Sequence, residues 1–431
     1  MKKLLLISAL FSISTTYANF GSQIASGPHT MGIGNQADLF SNSTDSHFYH
    51  PALATKNEKT NLSLSASSTS FSFEEITNIV TQNDTNSQTG EKVENLVHEY
   101  ENISMGQLHG VIPFSIKDRT YFIGLSLFSP LLYIAKFDSG SPELPEYVMY
   151  KSKIRRLDGL ASFSSRFNNF SFSLGSRFGF ELEADLEANA SLNGTSFGSS
   201  ARAKASVTPK VGAVASAAYE YQSHAIALTA SQGMSMEATA TVTGQTTDPR
   251  IIFDLTSDSL AYYEPDQVTA SYGWQSPEKM FSIFASTTYQ VWDGFKPPTI
   301  RLTQEASVLS SNNYEEIKTK NTQTYNLGGV FSIGNYKLMG GLSTYETPLD
   351  SDFSGAGNTI DSDSTAYHFG LAHKLGDVTL TLSYQLKRLK ELSVVKTDGQ
   401  ENGNPGSKIG APGFTVGGEI SNINLGLSVD F

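Results

Sequence analysis

The chain has 431 residues, a net charge of −12, 39% hydrophobic and 17% charged residues, 26 Phe, 19 Tyr, 2 Trp and no cysteine. Without cysteine there is no disulfide framework, thiolate metal site or cysteine nucleophile, and an acidic balance speaks against neutralising a phosphate backbone. The aromatic content is too high for a disordered polymer. What needs explaining is a chain poor in charge whose mean hydropathy is nevertheless only −0.22.

The first element is an export signal. Lys2 and Lys3 precede the apolar run Leu4 to Ile13, and Thr16-Tyr17-Ala18 ends on a small residue, which predicts a secretory signal over residues 1–18, cleaved after Ala18. The run is about half the roughly twenty residues that a spanning helix needs. No later stretch is long and apolar enough for one. Two classes survive: a soluble exported protein and an outer-membrane β-barrel.

Periodicity and turn spacing separate them. The leading segment Thr60 to Phe73 reads as a strand. Further along, Phe170, Phe172 and Leu174 alternate with Ser171, Ser173 and Gly175. Val378, Leu380, Leu382 and Tyr384 alternate with Thr379, Thr381 and Ser383, and Ile423, Leu425, Leu427, Val429 and Phe431 with Asn422, Asn424, Gly426, Ser428 and Asp430. A lipid-facing strand alternates in this way because one face meets acyl chains and the other the lumen. Short turns are predicted at Lys117-Asp118, Asn168-Asn169, Gln222-Ser223, Gln275 to Lys279, Gly334-Asn335 and Gly376-Asp377. Between them lie polar stretches at about 74–103, 130–149, 183–206, 238–266, 293–322, 346–364 and 389–420. Short and long connections alternate strictly, which predicts an all-β fold: a 14-stranded antiparallel transmembrane β-barrel over 59–431, with both ends on the short-turn side. Residues 19–58 then form an N-terminal plug at the mouth or in the lumen. A strand ending on Phe431 resembles the C-terminal signal read by the barrel assembly machinery of the bacterial outer membrane.

The N-terminal segment contains Ser26-Gly27-Pro28-His29-Thr30-Met31-Gly32-Ile33-Gly34-Asn35-Gln36-Ala37-Asp38 and then Phe48-Tyr49-His50-Pro51-Ala52-Leu53-Ala54. It resembles the plug of the long-chain fatty acid transporter (FadL) family, in which a Gly-rich stretch leads to an aromatic-Asn-Pro-Ala sequence; His50 stands where that family has Asn. Glu264-Pro265-Asp266-Gln267 followed by Tyr289-Gln290-Val291-Trp292, and Tyr345-Glu346-Thr347-Pro348 with the loop to Asp363, are similar to later family features. The similarity runs from about residue 26 to residue 431.

The resemblance implies a transporter, not an enzyme, that needs no cofactor. A long-chain fatty acid or other hydrophobic ligand would be captured outside, pass to a lumenal site, and leave sideways beside an inwardly kinked third strand. It implies ligand-contacting roles for Phe48, His50, Pro51 and Ala52. In the third strand, Thr120 to Phe128, Gly124 is the candidate for a lateral gate, because interior glycine weakens pairing or permits a bend; room for a neighbouring aromatic to pack is the competing reading. The apolar loop residues Leu131, Leu132, Tyr133 and Phe137 are candidates for the entry groove, against self-packing of a large loop.

A carboxylate head group needs a cation or donors. The register that follows from the Asn168-Asn169 turn sets Arg156 opposite Glu181, as a lumenal ion pair, and Arg177 opposite Leu160. Arg177 lacks a partner within that hairpin and is the candidate for the head group; pairing with an acid from another strand is the alternative. Asp350, Asp352, Asp361 and Asp363 gather in one loop but match no calcium-loop spacing, and the eight histidines show no metal-ligand pattern. No motif for nucleophilic catalysis is present. A monomeric barrel in outer-membrane lipid is expected. The rival readings are a general porin and a structural or surface-interaction barrel that has lost transport.

Overall fold

The computed structural model describes residues 27–82, 92–97, 102–131, 146–147, 157–180, 187–192, 195–200, 210–245, 252–293, 295, 319–350, 359–395 and 411–431. The signal segment 1–18 lies outside them.

Fourteen strands close into one barrel. They are β1 (Asn61–Phe73), β2 (Ile103–Ile116), β3 (Arg119–Pro130), β4 (Leu157–Phe167), β5 (Phe170–Phe180), β6 (Lys210–Tyr221) and β7 (His224–Ser231). The second half comprises β8 (Asp266–Gln275), β9 (Phe281–Val291), β10 (Thr322–Ile333), β11 (Tyr336–Tyr345), β12 (Ser364–Leu375), β13 (Val378–Val395) and β14 (Gly413–Asp430). Each pairs antiparallel with its sequence neighbours, and β14 returns to β1 with Asn61 opposite Asp430. Closure leaves no strand edge, which is the condition for a sheet to sit in hydrocarbon.

The expected alternation sets the two faces. Ser162, Ser164, Ser171 and Ser173 point inward and are buried, while Phe163, Phe172 and Leu174 point outward and are exposed. Five of the six short turns occur at the expected residues, and the turn expected at Gln275 to Lys279 runs one residue later, over 276–280. In the five two-residue turns the first residue has a positive φ, from 53° at Asn168 to 64° at Gly376, the feature of the primed turns whose twist matches that of paired strands.

The long connections differ from simple polar loops. Ile76–Gln82 pairs with Lys92–Leu96, Glu187–Leu192 with Thr195–Ser200, and Met234–Gln245 with Ile252–Glu264. The last long connection is shorter than expected, because β13 continues to Val395 and β14 begins at Gly413. The reason is apolar burial at that end. Ile76, Ile79, Tyr147, Trp292, Phe414 and Val416 belong to a single cluster, with Leu392 and Val394 packed against it. Phe73 stacks on Tyr147 at 4.2 Å, and the Tyr147 hydroxyl donates to Gly417 O at 3.0 Å.

Inside the barrel lies the segment from Gly27 to Asn57, nearly all of it buried. It contains α1 (Pro28–Gly32), α2 (Ser46–Tyr49) and a 3-10 turn over Pro51–Lys56. Proline at the first helical position suits α1. Two carboxylates organise the rest. Asp45 Oδ2 accepts from the backbone N–H of His29 at 2.9 Å and of Thr30 at 3.1 Å, satisfying the helix start from a distance. Asp38 accepts from the N–H groups of Phe40 and Ser41 and contacts His29 Nε2 at 2.9 Å.

Candidate functional site

The inner segment is fixed to the wall by polar contacts on strands around the barrel. His47 Nε2 lies 3.1 Å from Ser126 Oγ on β3, and Ser164 Oγ on β4 donates to Pro51 O at 3.0 Å. Thr55 and Ser171 hydroxyls meet at 2.7 Å, and Lys56 pairs with Glu220 on β6. His50 bonds through Nδ1 to Thr229 on β7 and through Nε2 to Ser271 on β8, at 2.7 and 2.6 Å. On β11, Ser343 Oγ donates to Gly34 O, and Asn35 Nδ2 donates to the Tyr345 hydroxyl, both at 2.8 Å. Contacts on so many strands hold the segment across the lumen.

Between this segment and the wall lies a small, partly open pocket of about 30 Å³. Asn35, Phe48 and Tyr49 form its inner side. The wall side is a product of register. Thr229, Thr269, Thr288 and Thr324 stand in one cross-strand row over β7 to β10, and beside it Ser231, Gln267, Gln290 and Thr322 form a second. Because inward positions recur every second residue, polar residues at matching positions on four strands make one hydroxyl- and amide-lined surface. Tyr345, Asn326 and Arg177 complete the lining.

Arg177 and Glu264 supply the charge. Arg177 Nη1 lies 2.7 Å from Glu264 Oε1, and both side chains are about nineteen-twentieths buried, at 5% and 6% exposure. The guanidinium carbon sits 5.0 Å from the centre of the Phe48 ring, a cation–π contact. With its amide oxygen turned toward the guanidinium, Gln267 accepts from Nη1 at 2.6 Å and from Nη2 at 3.1 Å.

No family model and no curated protein matches the chain. Solved structures do match. A crystal structure of a Pseudomonas aeruginosa FadL homologue aligns over 97% of this chain and 100% of its own, with a TM-score of 0.63 at 14% identity. The fold is FadL-like. The Pseudomonas putida toluene transporter TodX aligns over 97% and 100%, with a TM-score of 0.57 at 11% identity. The Ralstonia pickettii toluene transporter TbuX aligns over 95% and 99%, with a TM-score of 0.51 at 11% identity.

Within this FadL-like barrel the expected residues separate. Phe48 and Arg177 meet in the pocket, and Arg177 stands opposite Leu160 as the turn register requires. Arg177 is not an isolated cation, however: its partner Glu264 lies 87 residues away at the end of the Ile252–Glu264 strand. His50, Pro51 and Ala52 do not line the pocket. His50 and Pro51 anchor the segment to the wall, and Ala52 O accepts from the Thr55 hydroxyl.

Gly124 leaves the third strand's ladder in register. The β3 ladder passes through Gly124 on both sides, opposite Val111 and Ser162, without a shift of register. A Cβ there would lie 2.7 Å from Ser162 Oγ and 3.0 Å from the His47 ring, so the glycine serves close approach of the inner segment. Leu131 is exposed. Leu132, Tyr133 and Phe137 lie outside the described residues, as do Arg156, Glu181 and Asp352.

Among the described residues no group of three or more His, Asp or Glu could hold a metal. Asp363 accepts from Thr347 N at 3.0 Å, and Asp361 from Ser362 N at 2.9 Å. Burial pushes the Asp361 carboxyl up to about 8, against opposing hydrogen bonds and the nearby Lys387 charge. Residues that pattern reading passed over are Glu264 as an ion-pair partner, the threonine row and Tyr345. The period-two polar sets Gln267, Thr269, Ser271 and Ser286, Thr288, Gln290 were the available signal.

Proposed function

We propose that this chain is an outer-membrane transporter of hydrophobic compounds, in which the pocket between the inner segment and β7 to β10 is the lumenal binding site. The observation that carries the reading is the combination of an occupied lumen with a formed pocket at its wall. A barrel built as an open sieve has no use for a segment bonded to strands around its circumference; a carrier of apolar molecules needs the lumen closed to ions and a site for its ligand. The toluene transporters TodX and TbuX, which share the fold, support the same reading.

The rest of the route follows the resemblance. Residues 1–18 direct export, the inner segment acts as the plug, Phe431 addresses the chain to the assembly machinery, and the barrel works as a monomer. The apolar cluster at the long-loop end, with Trp292 and Phe414, supports capture from outside, since each methylene withdrawn from water contributes about 0.8 kcal/mol. Lateral release beside β3 requires the continuous ladder at Gly124 and Ser162 to part. Long-chain fatty acids are the ligands the resemblance implies; Arg177 and Phe48 mark where a ligand's polar head would lie.

Equilibrium dialysis of purified protein with a radiolabelled hydrophobic compound tests the proposal. Saturable binding that Thr288→Trp abolishes by filling the pocket is expected. Absence of saturable binding would favour a barrel that has kept the fold without transport.

A further inference from the structure

The charge state of the pocket bears on what kind of head group it accepts. Arg177 is the one charged residue among the described lining residues. Its Nη1 is engaged by Glu264 at 2.7 Å, its terminal nitrogens face Gln267, and its π-face lies against Phe48. Arg177 Nε has no hydrogen-bond partner among the described residues although it is buried. Everything else that lines the space is a neutral hydroxyl, amide, phenol or ring. A carboxylate entering here meets a cation whose charge is already balanced, next to a second carboxylate that repels it. An uncharged oxygen meets a wall of hydroxyls and amides that can donate or accept.

We propose that Glu264 is a specificity-determining residue that sets this pocket for neutral, oxygen-bearing amphiphiles, such as long-chain alcohols, and against carboxylates. The inference rests on the transport reading above and narrows its ligand class. Discrimination arises from a repulsive element as much as from attraction: buried beside Arg177, which lines the pocket, the Glu264 charge is poorly screened. Glu264 acts through Arg177, holding the guanidinium in place and cancelling its charge.

Dialysis of the purified full-length protein against radiolabelled decanol and radiolabelled decanoate, at a pH where the acid is ionised, tests this. The wild type is expected to bind decanol more tightly by about tenfold or more. Glu264→Gln frees the Arg177 charge and is expected to raise decanoate affinity by about tenfold while decanol changes little. Should the single variant fold poorly, Arg177→Met combined with Glu264→Gln removes both charges; it is expected to gain no decanoate affinity, and a gain there overturns the proposal as well. Equal or tighter binding of decanoate by the wild type overturns the proposal, and so does an unchanged ratio in folded Glu264→Gln. Saturable binding of neither compound would instead remove the transport reading together with this one, so the two failures are distinguishable.

Discussion

His50 of the inner segment places its Nε2 2.6 Å from the hydroxyl of Ser271 on β8, with its other ring nitrogen 2.7 Å from Thr229 on β7. One ring thus ties the segment to two adjacent wall strands. A neutral imidazole has one donor and one acceptor nitrogen, and hydroxyls can rotate to meet either. His50→Ala removes both bonds and leaves Ser271 without the ring. A loss of about 1–3 kcal/mol in the attachment of the segment is expected. Amide hydrogen exchange over residues 46–56 should quicken in the variant, with the barrel strands unchanged; unchanged exchange would mean that the ring contributes nothing to the attachment.

A second attachment depends on missing side chains. Gly328 and Gly341 face each other on β10 and β11. A Cβ at Gly341 would lie 2.5 Å from Gly34 N, and one at Gly328 would strike Ile33 O. The pair makes room for the backbone where Gly34 and Asn35 turn with φ of 94° and 53°. Gly341→Val is expected to displace this turn, at a cost of about 1–3 kcal/mol or more from overpacking. It should also break the Asn35–Tyr345 bond, readable as increased protease sensitivity near residue 34. Full resistance would contradict the close approach.

The Arg177–Glu264 pair makes a stability prediction apart from ligand choice. Removing one member strands a buried charge, which costs about 3–5 kcal/mol, whereas removing both is far less costly. Thermal unfolding of Arg177→Met, Glu264→Gln and the double variant should be strongly non-additive, with the double more stable than the Arg177→Met single. Additive losses would mean the pair is not coupled.

Asp361 predicts a pH response of the outer cluster. Its carboxyl is raised from an ordinary 3.8 to about 8 by burial, so the folded state binds the proton more strongly than the unfolded chain. The stabilisation is complete below about 4 and is lost progressively as pH rises to about 8. Fluorescence of the buried Trp292, followed in thermal melts across that range, should report a falling midpoint with rising pH. Asp361→Asn should flatten the dependence; a slope retained in the variant would assign it to another group.

The fold was legible where local chemistry determines local geometry. Tight turns need particular residues, and at Lys117-Asp118 and Gly376-Asp377 the chain turns where those residues stand. Once the turns are placed, period-two alternation carries the register outward, which is why Arg177 opposite Leu160 could be read directly. The same arithmetic stops at the hairpin. Glu264 reaches Arg177 from a connection of its own, and no alternation links the two. Gly124 looked like a weak point in a strand because a glycine's neighbours in space are invisible in sequence; His47 is what fills the room. For His50, the difference between touching a ligand and touching the wall depends on how the inner segment seats against β7 and β8. That seating arises from bonds such as Ser343 to Gly34 and Ser164 to Pro51, which join residues far apart in the chain.

The central claim is that the inner segment closes the barrel, leaving a pocket and no pore. Single-channel conductance of the purified protein in planar bilayers tests it most directly. The account predicts no steady ionic current from the wild type, and current when residues 27–57 are deleted. A steady current from the intact protein, unchanged by the deletion, would contradict it.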